Sequence, residues 1–144
     1  MDVFNSLDIA SSALKANRIR LDTISANMAN VETTRTPQGG PYQRKMVVFE
    51  TQQPSFNQQL NSAMQQSQPQ GVRVSQIAAD QSEPRMMFDP GHPDADGNGY
   101  VAMPNINLLE ETADMMMATR AYEANITSIK ASKRMALKAL EIGR

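Results

Sequence analysis

Few side chains in the 144-residue chain are suited to chemistry, and their spacing points away from catalysis. There is no Cys and a single His, His92. This excludes disulfides, thiolate catalysis, Cys-based metal sites and any Cys–His pair. A Ser–His–Asp triad would have to use this one imidazole, and no nucleophile-elbow sequence accompanies it. His92 lies in Asp89-Pro90-Gly91-His92-Pro93-Asp94, a turn-rich loop that predicts a structural or solvent-facing ring. Asp94-Ala95-Asp96-Gly97-Asn98-Gly99 matches the opening of a calcium loop. The bidentate Glu such a loop needs at its last position is replaced by Asn105, immediately after Pro104, so a tight Asp/Gly turn without a metal is expected. Gly39-Gly40-Pro41 lacks the strand, Lys-Ser/Thr and helix of a phosphate loop. Catalytic, cofactor and metal sites are accordingly all expected to be absent.

Charge excludes a further class of partner. The formal net charge is −1, and the basic group Lys130, Lys133, Arg134 and Lys138 has acidic counterweights and no interleaved aromatics. It reads as a solvated helix face, with neither nucleic acid nor anionic lipid as partner. Hydrophobic residues make up 40% of the chain, but aromatics only 5%, with no Trp, so its 11 Met must fill much of the apolar volume. Met adapts to irregular contacts, in a core or against several neighbours. No stretch approaches the length of a membrane span, so no membrane insertion is expected. The start, Met1-Asp2-Val3-Phe4-Asn5-Ser6, lacks the basic and apolar regions of a cleavable signal peptide. A cytosolic protein and one exported without a leader both fit that pattern.

The elements that carry these residues are marked by punctuation. All eight prolines, and six of the seven glycines, lie between Pro37 and Pro104; the seventh glycine is Gly143. Helix interiors tolerate neither residue, so the chain divides into an N-terminal helical segment (1–34), an irregular insert (35–106) and a C-terminal helical segment (107–144). In the first, Leu7, Leu14, Leu21 and Met28 recur every seventh residue, and Ala10, Asn17, Ile24 and Val31 follow each by three, a heptad seam from about Ser6 to Asn30. In the last, Asn107 and Glu110 form a box-like start, and Met115, Tyr122, Ile126, Ile129, Leu137 and Leu140 mark an apolar stripe from about Leu108 to Ile142. The stripe does not keep strict heptads, since Lys133 interrupts it, and Gly143 is the expected stop. Within the insert, Tyr42–Glu50, Gly71–Ser75, Arg85–Phe88 and Gly99–Met103 read as strands. The Gln-rich stretch from Thr51 to Gln70 reads as a mobile loop, with a weaker option of a short helix around Phe56 to Met64. The expected fold class is mainly α: two long terminal helices forming a coiled-coil-like hairpin, with a small, irregular β-rich insert.

Such a hairpin leaves apolar surface over. Met115-Met116-Met117 alone sweeps about 200° of helix circumference, more than one partner helix covers. Apolar patches of this extent mark interaction sites, although the insert of a lone hairpin could cover part of them. A cytosolic homodimeric coiled-coil adaptor, its register set by Asn17, is the alternative reading.

Resemblance adds a specific identity. Ile24-Ser25-Ala26-Asn27-Met28-Ala29-Asn30-Val31-Glu32-Thr33-Thr34 resembles the signature of flagellar rod and hook proteins. Other members commonly continue with Gly-Phe. Here Arg35-Thr36-Pro37-Gln38-Gly39-Gly40-Pro41-Tyr42 follows instead and is similar to the proximal-rod branch of the family, as are Asp89–Ala95, Gly99–Val101, Met115–Asn125 and Met135–Arg144. The stretch from Thr51 to Gln70 carries no family signature. The resemblance implies a structural subunit of the proximal rod of the bacterial flagellar basal body, polymerising through both terminal helices into the tube that transmits motor torque. It further implies export without a cleaved leader through the flagellar type III apparatus and assembly in the periplasm. The implied partners are copies of itself, other rod proteins and the MS-ring adaptor. The expected assembly residues are Leu7, Leu14, Leu21, Ile24, Met28, Met115, Met116, Tyr122, Ile126, Ile129, Leu137 and Leu140; intrachain core is their other reading. Asn27, Asn30, Thr33 and Thr34 form the expected family-motif turn, with Asn side chains satisfying backbone groups where the first helix stops.

Overall fold

The computed structural model describes residues 3–52 and 70–142. Two helices dominate: α1, Val3–Ala29, and α2, Leu108–Ile142. At 1.5 Å per residue they are about 40 Å and 52 Å long. Between them lie β1, Lys45–Thr51, β2, Val72–Ala79, β3, Arg85–Phe88, and β4, Tyr100–Met103. The fold is mainly helical with two small antiparallel hairpins, β1–β2 and β3–β4.

Local chemistry sets the helix ends. α2 starts after Asn107, whose Oδ1 accepts the Leu109 N–H at 3.1 Å, satisfying one of the orphan donors of the first turn. Glu110 and Glu111 put negative charge at the positive end of its dipole. At the end of α1 the Ala26 carbonyl accepts both the Asn30 side-chain amide at 2.8 Å and the Asn30 N–H at 3.2 Å.

The helices pack antiparallel, since Asn27 meets Glu111 and Arg20, further back along α1, meets Asp114 further on along α2. On α1 the heptad seam is shielded throughout: Ala10 and Ile24 are buried, and Leu7, Leu14, Asn17, Leu21, Met28 and Val31 are half-buried. On α2 the inward line differs from the expected stripe. Glu111, Met115, Ala118, Tyr122, Asn125, Ile129, Ser132 and Ala136 are all buried or half-buried, at alternating spacings of four and three. This is a regular heptad pattern, contrary to the reading that Lys133 breaks it. The apolar criterion missed it because Glu111, Asn125 and Ser132 stand on the line and Lys133 stands beside it.

β1 pairs with β2 from Lys45↔Ala79 to Thr51↔Val72, with a bulge between Val48 and Phe49. Thr51, read from composition as loop, is the last strand residue, and the pairing is prolonged by Gln52 N–H to the Gly71 carbonyl at 2.8 Å. The rest of the expected mobile loop, with the optional helix around Phe56 to Met64, lies outside the described residues, as does Gly143. This hairpin lies along α1, fastened at one end by Ser12 and at the other by Asn27. Fifteen residues of helix span about 22 Å and the six steps from Lys45 to Thr51 about 20 Å, so the two anchors match in length.

β3–β4 runs from Arg85↔Met103 to Phe88↔Tyr100, closed by an edge-to-face contact of the Phe88 and Tyr100 rings at 5.2 Å. Its inner strand leads into a compact knot of buried residues, Val101, Met103, Pro104 and Ile106, at the start of α2. No described helix is long and apolar enough to cross a membrane.

Candidate assembly face and the polar clasp at its root

A polar clasp forms where α1, β1 and α2 meet. Asn27 and Glu111 are each 1% exposed. The Asn27 amide donates to the Lys45 carbonyl at 2.9 Å and to Glu111 Oε2 at 3.1 Å. Its Oδ1 accepts the Lys45 N–H at 2.9 Å and the Tyr42 hydroxyl at 3.2 Å. Arg44 Nε donates to Glu111 Oε1 at 2.6 Å, while Asp114 takes Arg20 at 3.3 Å and lies 3.9 Å from Arg44. Asn27 therefore treats Lys45 as a neighbouring strand would, exchanging both backbone bonds. No buried side-chain nitrogen or oxygen among the described residues lacks a partner. Satisfaction of every group is what makes a buried polar network tolerable in a small core.

The electrostatics follow from this arrangement. Burial, with the nearby Glu111 charge, raises the Tyr42 hydroxyl above its ordinary 10.0. Burial opposes the Arg44 charge, but the hydrogen bond and field of Glu111, with Asp114 and Asp80, outweigh it and hold the guanidinium above its ordinary value. Asp80 is lowered by the hydroxyl and amide of Ser82, against a small desolvation cost and with help from Arg44. All three shifts stabilise the protonation states that the clasp needs near neutrality.

The family-motif residues divide their work. Asn30 closes α1 and accepts the Thr33 hydroxyl at 3.1 Å. The Thr33 carbonyl accepts the Tyr42 N–H, fixing the return of the chain towards the clasp. Thr34 donates to Asp94 at 2.8 Å, tying the α1 exit to the distant β3–β4 loop. Asn27 reaches across to β1 and α2 and makes none of these local turn bonds.

The loop that resembles a calcium site is committed to its own turn. Asp96 accepts the N–H groups of Asn98 and Tyr100, and Gly99 takes a φ of 84° that side chains disfavour. His92 Nδ1 accepts the Asp94 N–H at 3.1 Å, an ordering contact within the loop. The described residues gather no group of three or more His, Asp or Glu that could hold a metal ion.

The residues expected to carry assembly fall in three environments. Ile24 is buried; Leu7, Leu14, Leu21, Met28, Met115, Tyr122, Ile126 and Ile129 are half-buried; Met116, Leu137 and Leu140 are exposed. The half-buried set borders the α1–α2 seam, whereas the exposed three each show more than half of their surface. Reading the sequence for apolar periodicity missed Glu111, Arg44, Tyr42 and Asp114. The one available signal was the capping start of α2, where an acid was expected to reach back from Glu110. The carboxylate that the fold uses is the next one, Glu111, because that position turns inward.

Comparison with known proteins bears on the two ends of the chain. Residues 7–35 match the family "Flagella basal body rod protein", and residues 98–142 match "Flagellar basal body rod FlgEFG protein C-terminal". These segments contain most of α1 with its exit turn, and β4 with α2, so the helical pair defines a rod-type structural protein. Full-length relatives narrow this. The chain is 45% identical over 150 residues to "Flagellar basal-body rod protein FlgC" of Bacillus subtilis (strain 168), covering 100% of both. It is 45% identical over 152 residues to the FlgC of Borreliella burgdorferi, covering 99% of this chain and 98% of that one. The Salmonella typhimurium FlgC is 38% identical over 144 residues, again covering 100% of both. The chain belongs to the FlgC family of flagellar basal-body rod proteins. Its role is structural and it is not an enzyme.

Proposed function

We propose that this rod subunit polymerises through α1 and α2 into the proximal section of the basal-body tube that transmits motor torque. The observation that carries this reading is the mismatch between a thin core and a large uncovered apolar surface. The buried hydrophobic residues of the α1–α2 pair are Ala10, Ala16, Ile24 and Ala118. On α2, Leu109, Met116, Met117, Met135, Leu137 and Leu140 are each more than half exposed. Such surface needs neighbours, and a tube wall built from helical pairs supplies them.

In the tube the pair is held as a coiled coil in the inner layer, and the hairpins contribute outside it. The partners are copies of the chain, other rod proteins and the MS-ring adaptor. Transit through the type III apparatus without a cleaved leader delivers the chain to the periplasm. The Leu7, Leu14, Leu21 and Met28 line serves both the intrachain seam and the neighbours, as its half-buried state supports. Quantitative mass spectrometry of extracted basal bodies against cytosol tests the proposal. Enrichment with other rod proteins is the expected result; a chain confined to cytosol in flagellated cells would instead support the homodimeric adaptor.

A further inference from the structure

The turn between β3 and β4 sets an exposed Asn98 directly before Gly99. An Asn followed by Gly is prone to intramolecular cyclisation, because the attacking backbone nitrogen has no neighbouring side chain to block its approach. The fold itself requires the glycine. Gly99 takes a φ of 84°, and a Cβ there would lie 3.0 Å from Phe88 Cε2 and 3.2 Å from Pro90 Cγ.

The same turn restrains the reactants. Three successive amides converge on Asp96: its Oδ1 accepts the N–H of Asn98 at 2.8 Å and of Tyr100 at 2.9 Å, and its carbonyl accepts that of Gly99 at 3.0 Å. The Asp96 N–H returns to the Tyr100 carbonyl at 2.8 Å. In a turn closed by a bond from its fourth residue to its first, the third residue, here Asn98, has ψ of about 0°. That sets the Gly99 nitrogen about 120° from the Asn98 Cβ around the Cα–C bond, whereas a five-membered ring needs the two eclipsed. The required rotation breaks the bond from Gly99 to Asp96, so the ring closes only after the turn opens.

We propose that Asn98-Gly99 is a self-modification site gated by opening of the Asp96 turn. The Gly99 nitrogen attacks Asn98 Cγ; the new C–N bond closes a succinimide, and the side-chain nitrogen leaves as ammonia with the Gly99 proton. Water then opens the ring. Addition at the side-chain carbonyl gives Asp; addition at the Asn98 backbone carbonyl gives isoaspartate, whose main chain is longer by one methylene. The isoaspartate displaces Gly99, whose carbonyl accepts the Asp89 N–H at 2.9 Å at the end of the β3–β4 ladder. The mark records opening of the turn and loosens the hairpin behind it. It is independent of the rod reading, because both reactants are neighbours in one chain.

The test incubates the full chain at mildly alkaline pH and follows position 98 by peptide mapping with isoaspartyl methyltransferase labelling. A synthetic peptide from Pro93 to Val101 sets the unrestrained rate. The folded chain is expected to convert more slowly than the peptide. Asp96→Ala should raise its rate about tenfold, as one or two exposed hydrogen bonds leave the closed turn. Asp96→Ser, whose hydroxyl can take the Asn98 N–H, should fall between the two. Hydrogen exchange of the Gly99 amide should rise in step. Equal rates in the unaltered chain and the peptide would overturn the gating, and that comparison stands even if Asp96→Ala fails to fold. Absence of conversion at position 98 in the peptide and in Asp96→Ala would overturn the site itself.

Discussion

The Asn27 side chain has two donor and two acceptor positions, and all four are used, on Lys45, Glu111 and Tyr42. Asn27→Ala takes both bonds from the Lys45 backbone and one from buried Glu111, and should cost about 2–4 kcal/mol, read as a lower denaturant midpoint. Asn27→Asp should be at least as damaging, because a carboxylate can neither donate to Lys45 nor sit comfortably against Glu111. Tyr42→Phe removes a single bond and should cost about 1 kcal/mol. Tyr42 also sets a pH dependence. Its folded-state pKa is above 10.0, so between the two values the folded chain holds a proton that the unfolded chain has lost. The contribution is complete below about pH 10 and declines as pH rises past it. Urea titrations across that range should show a downward slope that flattens in Tyr42→Phe; an unchanged slope would place its origin elsewhere.

At the scale of elements, the β1–β2 hairpin depends on a close approach to α1. A Cβ on Gly71 would lie 2.6 Å from Ser12 Oγ, the atom that donates to the Ile9 carbonyl and accepts the Val72 N–H. Gly71→Ala should therefore displace Ser12, free the β2 end of the hairpin and cost about 1–3 kcal/mol. Ser12→Ala gives up the same link from the other side. The two changes should be non-additive in a double-mutant cycle, with the second costing little once the first is made. Additive losses would show that Gly71 and Ser12 act independently. The sequence marks strand composition here clearly, since alternation around Gly71–Ser75 is local information. Pairing, bulge and docking onto α1 depend on contacts up to sixty residues apart in the chain, as between Ser12 and Val72, which composition does not encode.

Over the whole molecule, stability and assembly draw on different residues. Met116 and Leu137 are more than half exposed, so Met116→Asp or Leu137→Asp should change monomer stability by no more than about 0.5 kcal/mol. Incorporation into basal bodies should nevertheless fall, measured against the unaltered chain in the same cells. Ile24→Asp buries a charge in the α1–α2 seam and should unfold the monomer instead. Half-buried positions such as Leu14 and Ile129 mix the two effects and cannot separate them. Hydrogen exchange on the isolated chain should follow the same division. Amides near Ala118, which is fully shielded, should exchange slowly, and those around Leu140 quickly. Uniform protection along α2 would contradict so thin a core.

Much of this architecture is written in local chemistry. Proline and glycine placement, the seventh-residue leucines of α1 and the Asn107 cap are nearest-neighbour or helical-period signals, and they locate both helices within a few residues. The Asp96–Gly99 turn is equally local, because its carboxylate satisfies its own backbone. Tertiary structure alone decided which face of α2 turns inward. Glu111, Asn125 and Ser132 stand on that face although an apolar reading discards them, since a polar group is stable there only once a specific partner is supplied. For Glu111 the partners are Arg44 and Asn27, from two other elements. It also decided that α1 stops short of the end of α2. Leu140 is left 72% exposed beside that face, and the helices' relative stagger is something the length of neither helix reveals.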